Sequence, residues 1–165
     1  MTRIFLILSG IPGTGKSTYS RWLTENHGFT HFDIDWSSSP TDDELVSDRL
    51  VVDWGFPANE PGITQSLEVI RSWQQLGAEL WWFDGDRDSA LESFLKRGTV
   101  GKEAWDYQLQ GIATNWFRIL EVTEGRQIDA IGPEGHKTAD VIFGEMFPEG
   151  IDQDITASNR TRGSE

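Results

Sequence analysis

Residues 9–18, SGIPGTGKST, decide the fold that we expect for this chain. Residues 10–17, here called the glycine loop, match the pattern G-x-x-x-x-G-K-[ST] at every fixed position. The apolar run Ile4–Leu8 precedes the loop, and Tyr19, Trp22 and Leu23 follow it at helical spacing. A buried strand before the pattern and a helix after it are the context in which it binds phosphate. A strand-to-helix turn that binds nothing is the alternative.

The residue types of the glycine loop indicate how it would hold a phosphate. Glycines let the backbone N–H groups turn inward around an anion, and the following helix directs its positive end toward that anion. We expect Lys16 to reach the outer phosphates of ATP and the Ser17 hydroxyl to bind Mg²⁺. The residues predicted to bind the nucleotide are Gly10, Pro12, Gly13, Thr14, Gly15, Lys16, Ser17 and Thr18.

Composition narrows the choice of partners. The chain has 165 residues, enough for one domain, with 14 basic and 27 acidic residues and a net charge of −13. This surplus of acid disfavours a polynucleotide or an anionic membrane as partner, although a small basic cleft is still possible. There is no cysteine, which excludes disulfides and a cysteine nucleophile. The run Ile4–Leu8 is too short for a signal or a membrane span, so a cytoplasmic location is the default expectation.

Strand and helix patterns alternate along the chain. Five strands are predicted, at Arg3–Leu8, His31–Asp35, Leu50–Asp53, Glu79–Phe83 and Gln127–Ile131. Helices are predicted at Ser17–Glu25, after a capping box at Thr41, and at Ile63–Leu76, Ser89–Lys96 and Ala104–Val122. The segment HKTADVIFGEMF favours a last helix, with a strand at Ala139–Phe143 as the competing interpretation. This alternation predicts a parallel sheet covered on both faces, in one domain at residues 1–149. Residues 150–165 are polar and aperiodic, which is typical of a disordered tail.

A single acidic residue ends the third apolar run. The segment LVVDW puts Asp53 at the carboxyl end of a strand, which is where parallel sheets bind their ligands. A carboxylate there can hold Mg²⁺, directly or through water. The alternative is an aspartate that only caps a turn. With the glycine loop upstream, we predict that Ser17 and Asp53 form a metal site.

The glycine loop by itself is common to GTPase switches, motor ATPases and kinases. The base-reading string N-K-x-D, which a GTPase would need, does not occur. A motor ATPase usually carries a pair of acids at the end of its metal-binding strand, whereas VVDWG has one. Small size and an acidic composition also fit a motor poorly. Small kinases are the class that is left.

The sequence resembles the small P-loop kinases over residues 3–148, and most nearly the group around polynucleotide 5′-kinase, chloramphenicol phosphotransferase, zeta-type toxins and gluconate kinase. The segments that carry the resemblance are SGIPGTGKST (9–18), FDID (32–35), VVDWGF (51–56), WFDGDRDSALESFLKRG (82–98) and IDAIGPEGHKTADVIFGEMF (128–147). It implies a single-domain α/β P-loop NTPase fold. The expected architecture is a five-stranded parallel sheet sandwiched by helices, similar to nucleoside monophosphate kinases but with a short lid.

The resemblance also implies residues for a transfer reaction. In several of these kinases an aspartate at the end of the second strand accepts the proton of the attacking hydroxyl, and Asp35, or failing that Asp33, holds this position here. Lid arginines stabilise the transferred group, and Arg97 is the best match, with Arg87 and Lys102 as weaker candidates. The predicted catalytic residues are Lys16, Asp35 and Arg97.

An acceptor pocket is expected over the strand ends, where aromatic rings can stack on a substrate. Its predicted residues are Asp33, Trp36, Trp54, Phe56 and Arg87. Core packing is the alternative for each of the aromatic residues. The segment Gly132–Lys137 is expected to frame the adenine, with an ordinary turn as its alternative.

We therefore predict an enzyme that uses ATP and Mg²⁺ to transfer the γ-phosphate to a hydroxyl of a small molecule. Its partners would be a nucleotide and a small acceptor, without a membrane. Two alternatives stay open. One is a kinase for 5′-hydroxyl polynucleotides or nucleosides, and the other is a nucleotide-binding regulatory ATPase that has no acceptor.

Overall fold

The strand that precedes the glycine loop lies in the middle of the sheet. In the computed structural model, which describes residues 3–34 and 40–151, this strand is β1 (Ile4–Gly10). The other strands are β2 (Thr30–Ile34), β3 (Arg49–Trp54), β4 (Ala78–Gly85), β5 (Gln127–Gly132) and β6 (Gly135–His136). Their order across the sheet is β2-β3-β1-β4-β5-β6. Strands β1 to β5 are parallel, and β6 pairs antiparallel with β5.

Helices connect the parallel strands and cover both faces of the sheet. They are α1 (Lys16–His27), α2 (Asp42–Leu45), α3 (Gly62–Gln75), α4 (Arg87–Lys96), α5 (Lys102–Thr114), α6 (Trp116–Thr123) and α7 (Ala139–Met146). The predicted capping box opens α2, because the Thr41 hydroxyl accepts from the backbone N–H of Glu44 and the Glu44 carboxylate accepts from that of Thr41. Within the described ranges, no helix has the length and apolar character needed to cross a membrane.

The sheet separates two apolar cores, and β1 contributes to both. Phe5 and Ile7 face the first core, where the Phe5 and Trp73 rings lie 5.6 Å apart between β1 and α3. Leu6 and Leu8 face the second core, on the side of α1 and α7. Burial on both faces explains why the first apolar run has no polar alternation.

The glycine loop packs against β4 and α4 so closely that no side chain fits at two of its positions. A Cβ on Gly10 would lie 2.1 Å from the carbonyl oxygen of Phe83, and one on Gly13 would lie 2.1 Å from that of Ala90. Both glycines also have positive φ, 145° and 83°. Other residues rarely adopt this conformation, so sterics and backbone geometry both require glycine here. The surrounding fold therefore fixes the path of the loop.

The predicted fold class is confirmed, and two details differ. Strand β6 was not predicted, since it contains only two residues and has no apolar run. The segment Ala104–Val122, predicted as one helix, is two helices that meet at Asn115. The Asn115 side chain donates to the Gly111 carbonyl at 3.0 Å, and such local bonds compete with the backbone ladder of a helix. The predicted tail lies outside the described residues after Ile151.

Two helical glycines offer a matched test of the packing between α5 and the loop after β3. A Cβ on Gly111 would lie 2.2 Å from the carbonyl oxygen of Ala58, whereas one on Gly144 in α7 would meet nothing within 4 Å. We predict that Gly144→Ala raises the free energy of unfolding by up to about 1 kcal/mol through helix propensity, and that Gly111→Ala lowers it by at least about 1 kcal/mol. Urea unfolding measures both. Equal effects of the two substitutions would contradict this packing.

Candidate active site

Two side chains of the glycine loop donate hydrogen bonds to the backbone carbonyl of Ile11. Thr14 Oγ1 donates to this oxygen at 2.7 Å and Lys16 Nζ donates to it at 3.1 Å. Gly15 has left-handed geometry, with φ of 88°, and α1 begins directly after it. The unpaired N–H groups in the first turn of α1 therefore border the loop, an arrangement that suits an anion.

A hydrogen bond joins the first turn of α1 to the end of β3. The Ser17 hydroxyl donates to Asp53 Oδ2, and Asp53 is buried, with 4% of its surface exposed. Burial raises the pKa of the Asp53 carboxyl, while the hydrogen bond from Ser17 and the charge of Lys16 act in the opposite direction. A hydroxyl beside a carboxylate is a donor set suited to Mg²⁺, which binds through one or two protein oxygens and through substrate phosphates. The predicted metal residues are thus adjacent.

Lys16 is buried beside this pair. The pKa of the Lys16 amine is lowered to about 8, chiefly by burial; the charge of Asp53 raises this pKa and the charge of Arg97 lowers it. Arg97 is exposed and caps the carboxyl end of α4. It makes no ion pair within the described ranges, so its charge is available at the edge of the loop. The structure thus brings Lys16 and Arg97, both predicted to be catalytic, close enough to interact.

A cavity of about 370 Å³ lies beside the glycine loop on the face of the sheet that α1 and α7 cover. We call it the hairpin cavity, because the β5–β6 hairpin forms one wall. His136 of β6 lies against the loop, with Nε2 3.1 Å from Ser93 Oγ and Nδ1 3.1 Å from where a Cβ on Gly15 would be. The residues that line the cavity are Thr14, Gly15, Thr18, Tyr19, Ser93, Lys96, Arg97, His136, Lys137, Ala139 and Ile142.

A second cavity, of about 420 Å³, adjoins Ile11 of the loop and is lined by residues of the opposite core. We call it the Trp116 cavity. Asp84, at the end of β4, pairs there with Arg87 of α4. The residues that line this cavity are Ile11, Asp84, Arg87, Leu109, Ile112, Ala113 and Trp116. The glycine loop therefore contributes to two cavities, one on each side of the sheet.

The structure places the remaining predicted residues as follows. Asp35 and Trp36 lie outside the described residues. Asp33 is exposed on β2 and is the ladder partner of Asp53 on β3. Lys102 pairs with Asp106 on its own helix and lines neither cavity.

Trp54, the last residue of β3, and Phe56 do not line either cavity. Phe56 is 2% exposed, and its ring packs against Trp82 in the core with centroids 6.1 Å apart. Trp54 is half-buried against Trp73 at 5.4 Å. For both residues the structure agrees with core packing, the alternative given above, because the chain after β3 turns back under α5.

Several residues of the cavities were missed in the sequence, and three of them, Asp84, Trp116 and His136, show why. Asp84 follows an apolar strand just as Asp53 does, so the same signal was available for it. Trp116 could not be found, because its place depends on the break between α5 and α6. His136 was assigned only as part of a loop, and its contact with the glycine loop depends on the unpredicted strand β6.

Comparison with known proteins identifies the fold. No protein-family model and no curated protein matches the sequence. A shikimate kinase from Aquifex aeolicus matches 88% of this chain and 95% of its own, with a TM-score of 0.50 and 15% identity. The fold is that of the small P-loop kinases. At this identity the likeness is evidence of the fold alone.

Two further structures match with slightly lower scores. A gluconokinase from Sinorhizobium meliloti 1021 has a TM-score of 0.49 and 16% identity, over 84% of this chain and 86% of its own. A shikimate kinase from Bacteroides thetaiotaomicron has a TM-score of 0.49 and 15% identity, over 77% and 86%.

The lowered pKa of Lys16 predicts a specific pH dependence of stability. Below its folded pKa of about 8, Lys16 is protonated in both states and contributes no pH dependence. Above it, the native state loses the proton while the unfolded chain keeps it, so this residue makes stability rise with pH. Between about pH 7 and about pH 9.5, the wild type should gain about 2 kcal/mol relative to Lys16→Met.

Urea unfolding of both proteins at the two pH values measures this difference. The other titratable groups are present in both proteins, so their contributions to the pH dependence cancel in the comparison. A stability difference that does not change with pH would contradict the burial of a charged Lys16.

Proposed function

We propose that the chain is an ATP-dependent phosphotransferase that moves the γ-phosphate of ATP to a hydroxyl of a small molecule. The observation that carries the proposal is the position of the glycine loop between two cavities. A regulatory ATPase needs a site for the nucleotide only, whereas a transferase needs one site for the donor and another for the acceptor. The likeness of the fold to small kinases agrees with this assignment.

The donor side of the proposed reaction uses the glycine loop and the hairpin cavity. The loop N–H groups and Lys16 hold the β- and γ-phosphates, and the base lies in the hairpin cavity against Ile142. Ser17 and Asp53 would hold Mg²⁺. When bound, the metal neutralises charge that develops on the phosphate oxygens.

The acceptor side uses a carboxylate and a lid cation. Asp35 takes the proton of the acceptor hydroxyl as the oxygen attacks the γ-phosphorus. Arg97, in the short segment between α4 and α5, closes over the transferred group and stabilises its charge. We assign these roles to residues 1–149 as the catalytic domain.

Acceptor-stimulated turnover tests the proposal against a regulatory ATPase. ADP release is measured with MgATP alone and with a panel of small hydroxyl compounds. We predict that at least one class of acceptor raises the rate at least tenfold above the background and yields a phosphate ester. Turnover that yields only inorganic phosphate, with every acceptor, would favour the ATPase.

The salt dependence of acceptor binding tests the polynucleotide alternative. Binding of a polynucleotide releases counterions and weakens steeply with salt, whereas binding of a small neutral acceptor changes little. We expect the apparent affinity for the acceptor to be nearly constant as salt increases. A steep loss of affinity with a 5′-hydroxyl oligonucleotide as the best acceptor would contradict the proposal.

Two neighbouring aspartates provide a matched test of the proton acceptor. Asp35→Asn should reduce transfer by about 10²- to 10⁴-fold while ATP binding is retained, because the amide cannot accept the hydroxyl proton. Asp33→Asn, two residues earlier, should reduce it by less than about tenfold. Single-turnover kinetics and calorimetry separate chemistry from binding. Full transfer by Asp35→Asn would refute the role of Asp35.

A further inference from the structure

The Trp116 cavity has the size of a small-molecule site, but its wall is more apolar than a site for a sugar acid would need. Its volume of about 420 Å³ falls within the usual range for ligand pockets. Seven of the residues in ranges 3–34 and 40–151 line it, and five of these are apolar, namely Ile11, Leu109, Ile112, Ala113 and Trp116. Hydroxyl groups that face such a wall lose their hydrogen bonds to water without replacement, at a cost for each group. The wall therefore disfavours a polyhydroxy compound.

Trp116 supplies a large aromatic surface to the apolar wall of the cavity. Its ring packs edge-on against the buried Trp82, with centroids 5.4 Å apart and an angle of 66° between the planes. This contact fixes the orientation of the indole. A rigid indole beside aliphatic side chains is suited to a flat, apolar ligand.

Among the described residues that line the cavity, only Asp84 and Arg87 are charged, and they form an ion pair. Arg87 donates from Nη1 to Asp84 and to the Gly85 carbonyl, and within the described ranges its Nε and Nη2 have no acceptor. From the residues described in the structure, Asp84 Oδ2 accepts one bond, that of Trp82 Nε1 at 3.1 Å, which leaves a lone pair for a ligand. The pair can thus both donate to and accept from one polar group of a ligand without adding net charge.

The cavity is connected to the phosphate end of the glycine loop through Ile11. The Ile11 N–H donates to the Phe83 carbonyl at 2.9 Å, and Phe83 directly precedes Asp84. The Ile11 carbonyl accepts from Lys16 Nζ. One residue of the loop therefore lines the cavity with its side chain and holds the phosphate-binding lysine with its backbone.

We infer that the Trp116 cavity is the acceptor site and that the acceptor is an alcohol on an aromatic or otherwise largely apolar body, oriented by Asp84 and Arg87. This inference rests on the proposed function. In the reaction, the acceptor oxygen forms a bond to the γ-phosphorus, the bond from that phosphorus to the β,γ-bridging oxygen breaks, and ADP leaves. The hydroxyl proton passes to Asp35. The apolar wall separates this acceptor class from polyhydroxy acids such as gluconate.

The test uses 3-phenylpropan-1-ol as the apolar probe and gluconate and glycerol as polar ones. Saturation-transfer NMR with MgADP present measures binding, and ADP release from MgATP measures turnover. We expect the aryl alcohol to bind and to stimulate ADP release at least tenfold more than gluconate or glycerol at equal concentration. Stronger stimulation by either polar compound, or no binding of the aryl alcohol, overturns the inference.

A matched pair of variants on α5 locates the binding site. Ala113, near the end of α5, lines the cavity and is exposed, and Ala104, near the start of the same helix, is exposed but does not line the cavity. Tryptophan at either position should therefore leave the core intact. Ala113→Trp should weaken binding of 3-phenylpropan-1-ol at least tenfold and Ala104→Trp less than twofold, with MgATP affinity unchanged in both. Equal binding by the two variants overturns the inference.

The outcomes also distinguish this inference from the proposed function. If MgATP binds but no alcohol stimulates ADP release, the proposed transfer is wrong, even if the aryl alcohol binds in the Trp116 cavity. If gluconate or glycerol is phosphorylated and the aryl alcohol is not, the transfer stands and the apolar acceptor class is wrong.

Discussion

The hydrogen bond from Ser17 to Asp53 is the contact on which the rest of the site depends. It joins the first turn of α1 to the carboxyl end of β3, across the central strand β1. Lys16 precedes Ser17 in the same turn, so the bond also fixes where the lysine enters the site. Because Gly10 and Gly13 pack against backbone carbonyls, the loop cannot shift to compensate for a displaced helix. The donor set for metal and phosphate is therefore rigid before any ligand binds.

The electrostatics of the site differ from those of the whole molecule. The chain carries a net charge of −13, yet Lys16 is buried and Arg97 lies close to it without an ion pair in the described ranges. A buried lysine with a second cation nearby is destabilising by itself, and burial followed by the charge of Arg97 accounts for the lowered pKa of Lys16. A bound polyphosphate would remove this repulsion. The site thus gives up stability in the free protein for a preformed attraction to anions.

Local sequence patterns predicted most residues that we propose for the donor half of the site and few that we propose for the acceptor half, for a physical reason. The glycine loop, Lys16, Ser17 and Asp53 lie on β1, α1 and β3, and local patterns are sufficient to predict such elements and their strand ends. The wall with Trp116 exists because the helix breaks at Asn115 and the indole turns onto Trp82. Such a contact depends on tertiary packing, which periodicity does not encode. Phe56 shows the opposite case. Its position after β3 predicted a place in a pocket, but packing under α5 buries its side chain.

We propose that Ser17 and Asp53 bind a metal ion that also contacts a nucleotide, and the function of the site depends on this ion. Pulsed electron paramagnetic resonance of Mn²⁺ in place of Mg²⁺, with ATP bound, tests it most directly because it detects phosphorus next to the metal. We predict ³¹P couplings for protein-bound Mn²⁺ in the wild type, and at least a tenfold weaker affinity for Mn²⁺·ATP in Ser17→Ala. Equal affinity of the wild type and Ser17→Ala, or bound Mn²⁺ without phosphorus coupling, would contradict the account.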